Sequence, residues 1–162
     1  MSQTIYSSPA GTDNKISIER EFAGTVEQVW LAWTDSNALA KWWAPKPFQA
    51  ITKSMDFSEG GRWHYYMLGP DGSKFWCMLH YKKIDPLRSF TAEDMFCDED
   101  GNRNDEFPGM QWEYLFTATE TGTKVNITVT YANKADMEKI ISMGFKEGFA
   151  MAHGNLDELL AG

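Results

Sequence analysis

Residues 124–160, KVNITVTYANKADMEKIISMGFKEGFAMAHGNLDELL, change their hydrophobic period part-way along. Val125, Ile127 and Val129 alternate with Asn126, Thr128 and Thr130, the period-two pattern of a strand with one dry face. From Asn133 or Lys134 onward the apolar residues recur at helical spacing. Met137, Ile140, Ile141, Gly144, Phe145, Gly148, Phe149, Ala152, Leu156, Leu159 and Leu160 fall on one stripe. The pattern predicts one helix running to Leu160, roughly 40 Å long at about 1.5 Å per residue. Gly144, Gly148 and Gly154 interrupt it, each costing roughly 1 kcal/mol against Ala in a helix interior. Close approach of a sheet, room for a ligand, or a bend would each account for them.

Upstream of this stretch the chain reads as two short helices and a run of strands. Residues 1–14 are polar and predict a flexible tail, leaving 15–162 as one domain. Lys15 to Phe22 alternates as a half-buried strand, with Arg20 on its apolar face. Thr25 and Gln28 match a capping box ahead of Val26, Val29, Trp30 and Trp33. Asp35 caps a second short helix that Pro45 closes. Strands follow at 48–57, 62–68, 74–84, 89–97, 110–119 and 124–131, separated by turns such as Gly69-Pro70-Asp71-Gly72 and by a polar loop at 98–109. The middle strands have only hairpin-length connections, too short for parallel crossovers. An antiparallel α+β domain results: a six- to seven-stranded sheet that buries the final helix most economically by curling around it.

Composition narrows the partners. The net charge of −8, with scattered Lys and Arg, argues against nucleic acid and against an anionic membrane surface. No stretch approaches the roughly 18 apolar residues of a membrane span, and the N-terminus lacks the apolar core of a secretion signal. Cys77 and Cys97 form no CxxC pair and read as buried free thiols of a reducing, cytoplasmic protein. The 7 Trp, 6 Tyr, 10 Phe and 9 Met are abundant enough to build a bulky core or to line a pocket.

Chemical motifs are sparse. His64, His80 and His153 have no metal-ligand spacing, and the acidic loop 98–105 fails the calcium-loop pattern, with Gly at its fourth place. No metal or cofactor is therefore expected. There is no nucleophile elbow and no phosphate-binding glycine loop. Glu93, Asp94 and Glu113 lie on strands. One of them turned inward beside apolar rings would have a raised pKa and could act as acid or base.

Several short pieces occur in order: Lys41-Trp42-Trp43-Ala44-Pro45, Glu59-Gly60-Gly61-Arg62-Trp63, Gly69-Pro70-Asp71-Gly72, the Tyr81-to-Arg88 edge YKKIDPLR, and Thr121-Gly122-Thr123-Lys124-Val125. Together with the opening IEREFAGTVEQVWLAWTD they resemble the SRPBCC (START-like, birch-pollen-allergen-like) superfamily. Within it they resemble the bacterial single-domain branch homologous to the activator of the heat-shock protein 90 ATPase. Two places depart from that pattern: Gly24-Thr25 stands where Pro is common, and Gly148-Phe149 where a Gly-Trp pair is common. The resemblance implies a helix-grip fold with a cavity between sheet and helix.

It also implies that the face of Trp63, Tyr65 and Met67 lines this cavity. On strand 74–84 alternation leaves two sets open, because a single bulge would swap them: Trp76, Met78 and His80, or Phe75, Cys77, Leu79 and Tyr81. The first is taken as the candidate lining, with Trp112, Tyr114 and Phe116 from the sixth strand and Met143, Phe145 and Phe149 from the helix. The expected function is binding of a small hydrophobic or aromatic molecule. A cyclase-, aromatase- or hydrolase-type enzyme and a co-chaperone are the alternatives. The eukaryotic namesake's separate N-terminal domain has no counterpart here, so a chaperone partner is doubtful. An edge strand such as 16–23 could pair two copies as a homodimer.

Overall fold

The computed structural model describes residues 4–7, 11–44, 46–106 and 109–161. Among the described residues eight strands form a single antiparallel sheet: β1 (Ile5–Ser7), β2 (Lys15–Phe22), β3 (Gln49–Met55), β4 (Arg62–Leu68), β5 (Lys74–Asp85), β6 (Ser89–Phe96), β7 (Met110–Ala118) and β8 (Thr123–Tyr131). Their spatial order is β1-β2-β8-β7-β6-β5-β4-β3. The eighth strand corrects the expected six or seven. Ile5–Ser7 pairs with Ser17–Glu19, adding a short edge strand where composition had indicated a tail. Three residues carry too little alternation to register as a strand.

The helices are α1 (Val26–Thr34), α2 (Ser36–Trp42), α3 (Lys134–Ser142) and α4 (Phe145–Ala161). The start signals hold. Thr25 and Gln28 close a reciprocal capping box, Asp35 accepts from the Ala38 N–H, and Asn133 accepts from the Asp136 N–H. The expected stop at Pro45 lies outside the described residues, as does part of the 98–109 loop, at positions 107 and 108.

The single long C-terminal helix is corrected to two. Gly144 adopts φ +91°, the left-handed conformation that ends a helix, and α4 restarts at Phe145. Of the three explanations open for the glycines, the bend applies to Gly144. Gly148 faces the cavity described below. Nothing in the structure explains Gly154.

The sheet's inner face holds the core. β2, β7 and β8 alternate strictly, with Ile16, Ile18, Arg20 and Phe22 of β2 all buried. The C-terminal half of α4 is tied down by polar links. Buried Arg20 pairs with Asp157 and donates to Thr4 Oγ1 at 2.8 Å, and the same hydroxyl lies 3.0 Å from His153 Nδ1. Asn155 donates to the carbonyls of Trp42 and Ala44 at 3.4 and 3.2 Å, joining α4 to the end of α2. His153 is fully buried, and burial, reinforced by the Arg20 charge, lowers its pKa from 6.5 to about 3.

Two predictions follow from this architecture. No atom lies within 4 Å of a Cβ added at Gly144 or Gly154, so backbone conformation alone decides each substitution. Gly144→Ala should destabilise by about 1–2 kcal/mol. Gly154→Ala, inside α4 at negative φ, should stabilise by about 0.5–1 kcal/mol. Urea unfolding of the pair checks the opposite signs. For His153 the folded pKa lies below the unfolded value, so the unfolded chain binds the extra proton between the two. Its contribution is complete above about pH 6.5 and is lost as pH falls toward 3. His153→Gln should flatten the acid limb of the stability curve, read as the difference between variant and parent from pH 7 to 4.

Candidate functional site

The register of β4 on β5 decides which side chains face α4. Trp63 stands opposite Leu79 and Tyr65 opposite Cys77, so Cys77 and Leu79 share the face of Trp63 and Tyr65. The bulge in β5 falls between Tyr81 and Lys83, beyond the stretch in question. Phe75, Cys77, Leu79 and Tyr81 therefore point inward, and the choice of Trp76, Met78 and His80 as lining is corrected. These three lie on the outer face. Trp76 packs there on His64 and Tyr66, with ring centroids 4.9 and 4.7 Å apart. The 98–102 turn covers Met78 and His64: His64 Nε2 is 3.0 Å from the Asp98 carbonyl, and a Cβ at Gly101 would meet Met78 Cε at 3.1 Å. That turn is built on Asp98, whose carboxylate accepts from the N–H groups of Asp100 and Asn102.

Between the inner face and the α3–α4 junction lies a cavity of about 340 Å³. It brings together Tyr65, Met67, Trp112, Met143, Phe145 and Phe149 of the expected set. The other inward members fill solid core instead. Trp63 is fully buried and stacks on Tyr65 at 3.8 Å. Tyr114 stacks on Phe90 at 4.4 Å, and Phe116 meets Trp30 and Trp33 edge-on at 5.1 and 5.6 Å. Trp43, Phe75, Cys77, Asp94, Met110 and Gly148 complete much of the wall without having been singled out as lining. Phe75 and Met143 are both 51% exposed, which places them at its mouth.

The polar groups on this wall are few. Trp43 donates its indole N–H to the Tyr65 hydroxyl at 2.8 Å. The Cys77 thiol contacts the Phe75 carbonyl at 3.7 Å. Burial, reinforced by the Asp94 charge, raises the Cys77 pKa, so the thiol stays protonated and is no activated nucleophile. Asp94 is the exception in charge. Of the three strand carboxylates it is the one turned inward: Glu93 sits on the opposite face with Arg103 at 3.1 Å and Lys82 at 3.9 Å, and Glu113 is exposed. The signal was present in the sequence. Phe90, Ala92, Asp94 and Phe96 form the more apolar phase of β6, and Ser89, Thr91, Glu93 and Met95 the more polar one.

Asp94 is half-buried as a residue and lines the cavity. Desolvation raises its pKa from 3.8 to about 7, opposed by the Trp112 indole and the Met95 backbone N–H. The Trp112 N–H itself completes no hydrogen bond of normal geometry. Among the described residues lining the cavity there is no Lys, Arg or His, and Asp94 is the sole carboxylate.

With this geometry in place, the chain can be set beside known proteins. The family described as Activator of Hsp90 ATPase homolog 1-like protein matches residues 23–161. A crystal structure of a protein from Mycobacterium smegmatis is 32% identical, spans 98% of this chain and 96% of that one, and superposes with a TM-score of 0.88. A solution structure from Arthrobacter aurescens is 29% identical over 97% of this chain and 91% of that one, with a TM-score of 0.89. A crystal structure from Nitrosomonas europaea, at 23% identity, 93% and 96% coverage and a TM-score of 0.81, shares the fold. None of the curated proteins matches the sequence. Among the described residues no helix is long and apolar enough to cross a membrane.

The Asp94 carboxyl makes a signed prediction. Its folded pKa lies above the unfolded one, so its protonated form supports the fold below about pH 4, and that support is lost as pH rises through about 7. Asp94→Asn should raise the thermal midpoint at pH 8 and leave it nearly unchanged at pH 4. Differential scanning calorimetry of variant and parent measures this directly.

Proposed function

Since the chain belongs to the Activator of Hsp90 ATPase homolog 1-like family, we propose that it binds a small hydrophobic molecule between its sheet and its C-terminal helices. The observation that carries this reading is the apolar cavity, walled by Tyr65, Trp112 and Phe149 and reaching half-exposed Phe75 and Met143. Its volume falls in the range of roughly 300–1,000 Å³ in which small-molecule sites occur. Aromatic and thioether side chains suit such a wall, since they offer large apolar area and adapt to a guest's shape. A lone carboxylate on an otherwise apolar wall supports orientation of a guest.

Native mass spectrometry of the purified protein, followed by solvent extraction, should detect a bound lipid or aromatic compound. A thermal-shift screen against lipids and aromatic amphiphiles should find stabilising ligands. Gly148→Leu places a branched side chain in the cavity while removing a helix glycine, a change worth roughly 1 kcal/mol in the helix's favour. Binding of an environment-sensitive hydrophobic dye should weaken at least about tenfold in this variant. No co-purifying compound, no thermal shift across the library and equal dye binding in the variant would together reject the reading.

A further inference from the structure

We infer that the cavity selects an apolar, preferably aromatic, molecule carrying a protonated amine, with the Asp94 carboxylate as its counter-ion. This rests on the ligand-binding reading above and names the class of guest.

The case begins with the placement of charge. β6 keeps Glu93 with its cations Arg103 and Lys82 on the outer face, and turns Asp94 alone to the inner one. A carboxylate offers about four acceptor positions, and among the described residues the Met95 N–H and the Trp112 indole, the latter short of a hydrogen bond of normal geometry, are the donors directed at this one. Asp94 lines the cavity, so a guest there is the partner within reach for the remaining capacity. A neutral hydrocarbon filling that space would strip the carboxylate of water and return nothing. An anionic guest would add like-charge repulsion. A cationic head compensates the buried charge, the condition under which such a charge is tolerated. The surrounding rings favour the same sign: Trp43, Tyr65, Trp112, Phe145 and Phe149 present the electron-rich π systems that attract ammonium groups.

The other titratable groups near Asp94 do not compete. Tyr65 on β4, Cys77 on β5, Cys97 just past β6, Tyr114 on β7 and Tyr131 on β8 all feel its charge, and burial keeps each of them protonated near neutral pH. From the helices, Ile140, Phe145, Gly148, Phe149 and Ala152 face the cavity, and none of them titrates. His153 couples to Arg20 instead. Asp94 is thus the group whose ionisation would follow the guest.

The test is calorimetric titration of the full chain with three matched probes: straight-chain phenylbutylamine, phenylbutanol and phenylbutyrate. At pH 8 the amine should bind about ten- to a hundredfold tighter than the alcohol, with the acid weakest. Between pH 8 and pH 6 the amine's affinity should fall about tenfold, because the ionised fraction of a carboxyl titrating near 7 drops from about 0.9 to about 0.1 while the amine stays protonated. The alcohol's affinity should change far less. In Asp94→Asn the amine-to-alcohol ratio should collapse to about one. An amine that binds no tighter than the alcohol, a preference independent of pH, or a preference that survives in Asp94→Asn would overturn the inference and leave the hydrophobic site standing. Loss of all three probes in a variant that still melts cooperatively would also overturn it, since Asp94 would then serve shape and not charge. Failure of every probe on the parent protein would overturn the binding reading as well.

Discussion

The seating of α4 is the constraint on which the rest of the molecule depends. Its C-terminal half is fixed by Arg20 to Asp157, by the Thr4–His153 link and by Asn155 bridging the end of α2. These contacts come from three separate segments, so the helix cannot slide along the sheet without breaking several buried polar links at once. The cost of leaving even one such group unpaired is about 1–3 kcal/mol. Its N-terminal half is held by one such tie, the Tyr6 hydroxyl of β1 donating to the Lys146 carbonyl at 2.7 Å among the described residues. There the chain turns at Gly144, and Gly144, Phe145 and Gly148 line the cavity, with the Phe145 ring 5.9 Å from Trp112 of β7 across it. A helix pinned by several side chains at one end and more lightly held beside small residues at the other produces a core and a cavity from one element.

The buried titratable groups divide along the same line. His153 sits at the pinned end, neutral and spent on holding the helix, and acid works against it. Asp94 sits at the open end, and alkali works against it. The two slopes oppose each other, so the fold is best served between them. Yet they differ in kind. His153 belongs to a connected set of hydrogen bonds, whereas Asp94 occupies a position that an apolar residue of the same phase would fill without penalty. A structural account covers the first and leaves the second open. Persistent local conflict of that sort is expected at sites of function.

Much of the fold was legible in the sequence, and the residues show why. Caps at Thr25 and Asp35 act over three residues, and alternation in β8 is unbroken, so local pattern sufficed. Three features were not legible. β1 is short and lies in a polar segment, so only its partner β2 defines it. The break at Gly144 falls inside a continuous apolar stripe, and periodicity does not report the sign of φ. The parity of β5 hinges on where its bulge falls, and the Tyr81/Lys83 shift leaves the preceding residues in phase. A finer reading of composition could have settled that parity. Phe75, Cys77, Leu79 and Tyr81 contain no charged member, while the opposite phase runs on to His80 and Lys82. Of the cavity wall, Trp43 follows α2 outside any regular period and gave no signal.

The abundance of rings, which composition left divided between core and pocket, resolves into both uses, and small residues set the boundary. At the closed end Trp33 meets Phe22, Trp42 and Phe116 edge-on at 5.5, 4.7 and 5.6 Å. Trp30 does the same with Phe57, Phe90 and Phe116. Such interlocked pairs leave no room and are worth about 0.5–1.5 kcal/mol each beyond burial. Toward the mouth the rings remain, with Trp112 5.6 Å from Phe149 and Phe145 stacked on Phe149 at 5.4 Å, but the helix lines the same space with Gly144, Gly148 and Ala152. Where a side chain should interdigitate there is a hydrogen or a methyl group. The space follows from what the helix lacks, which is why ring content by itself could not reveal it.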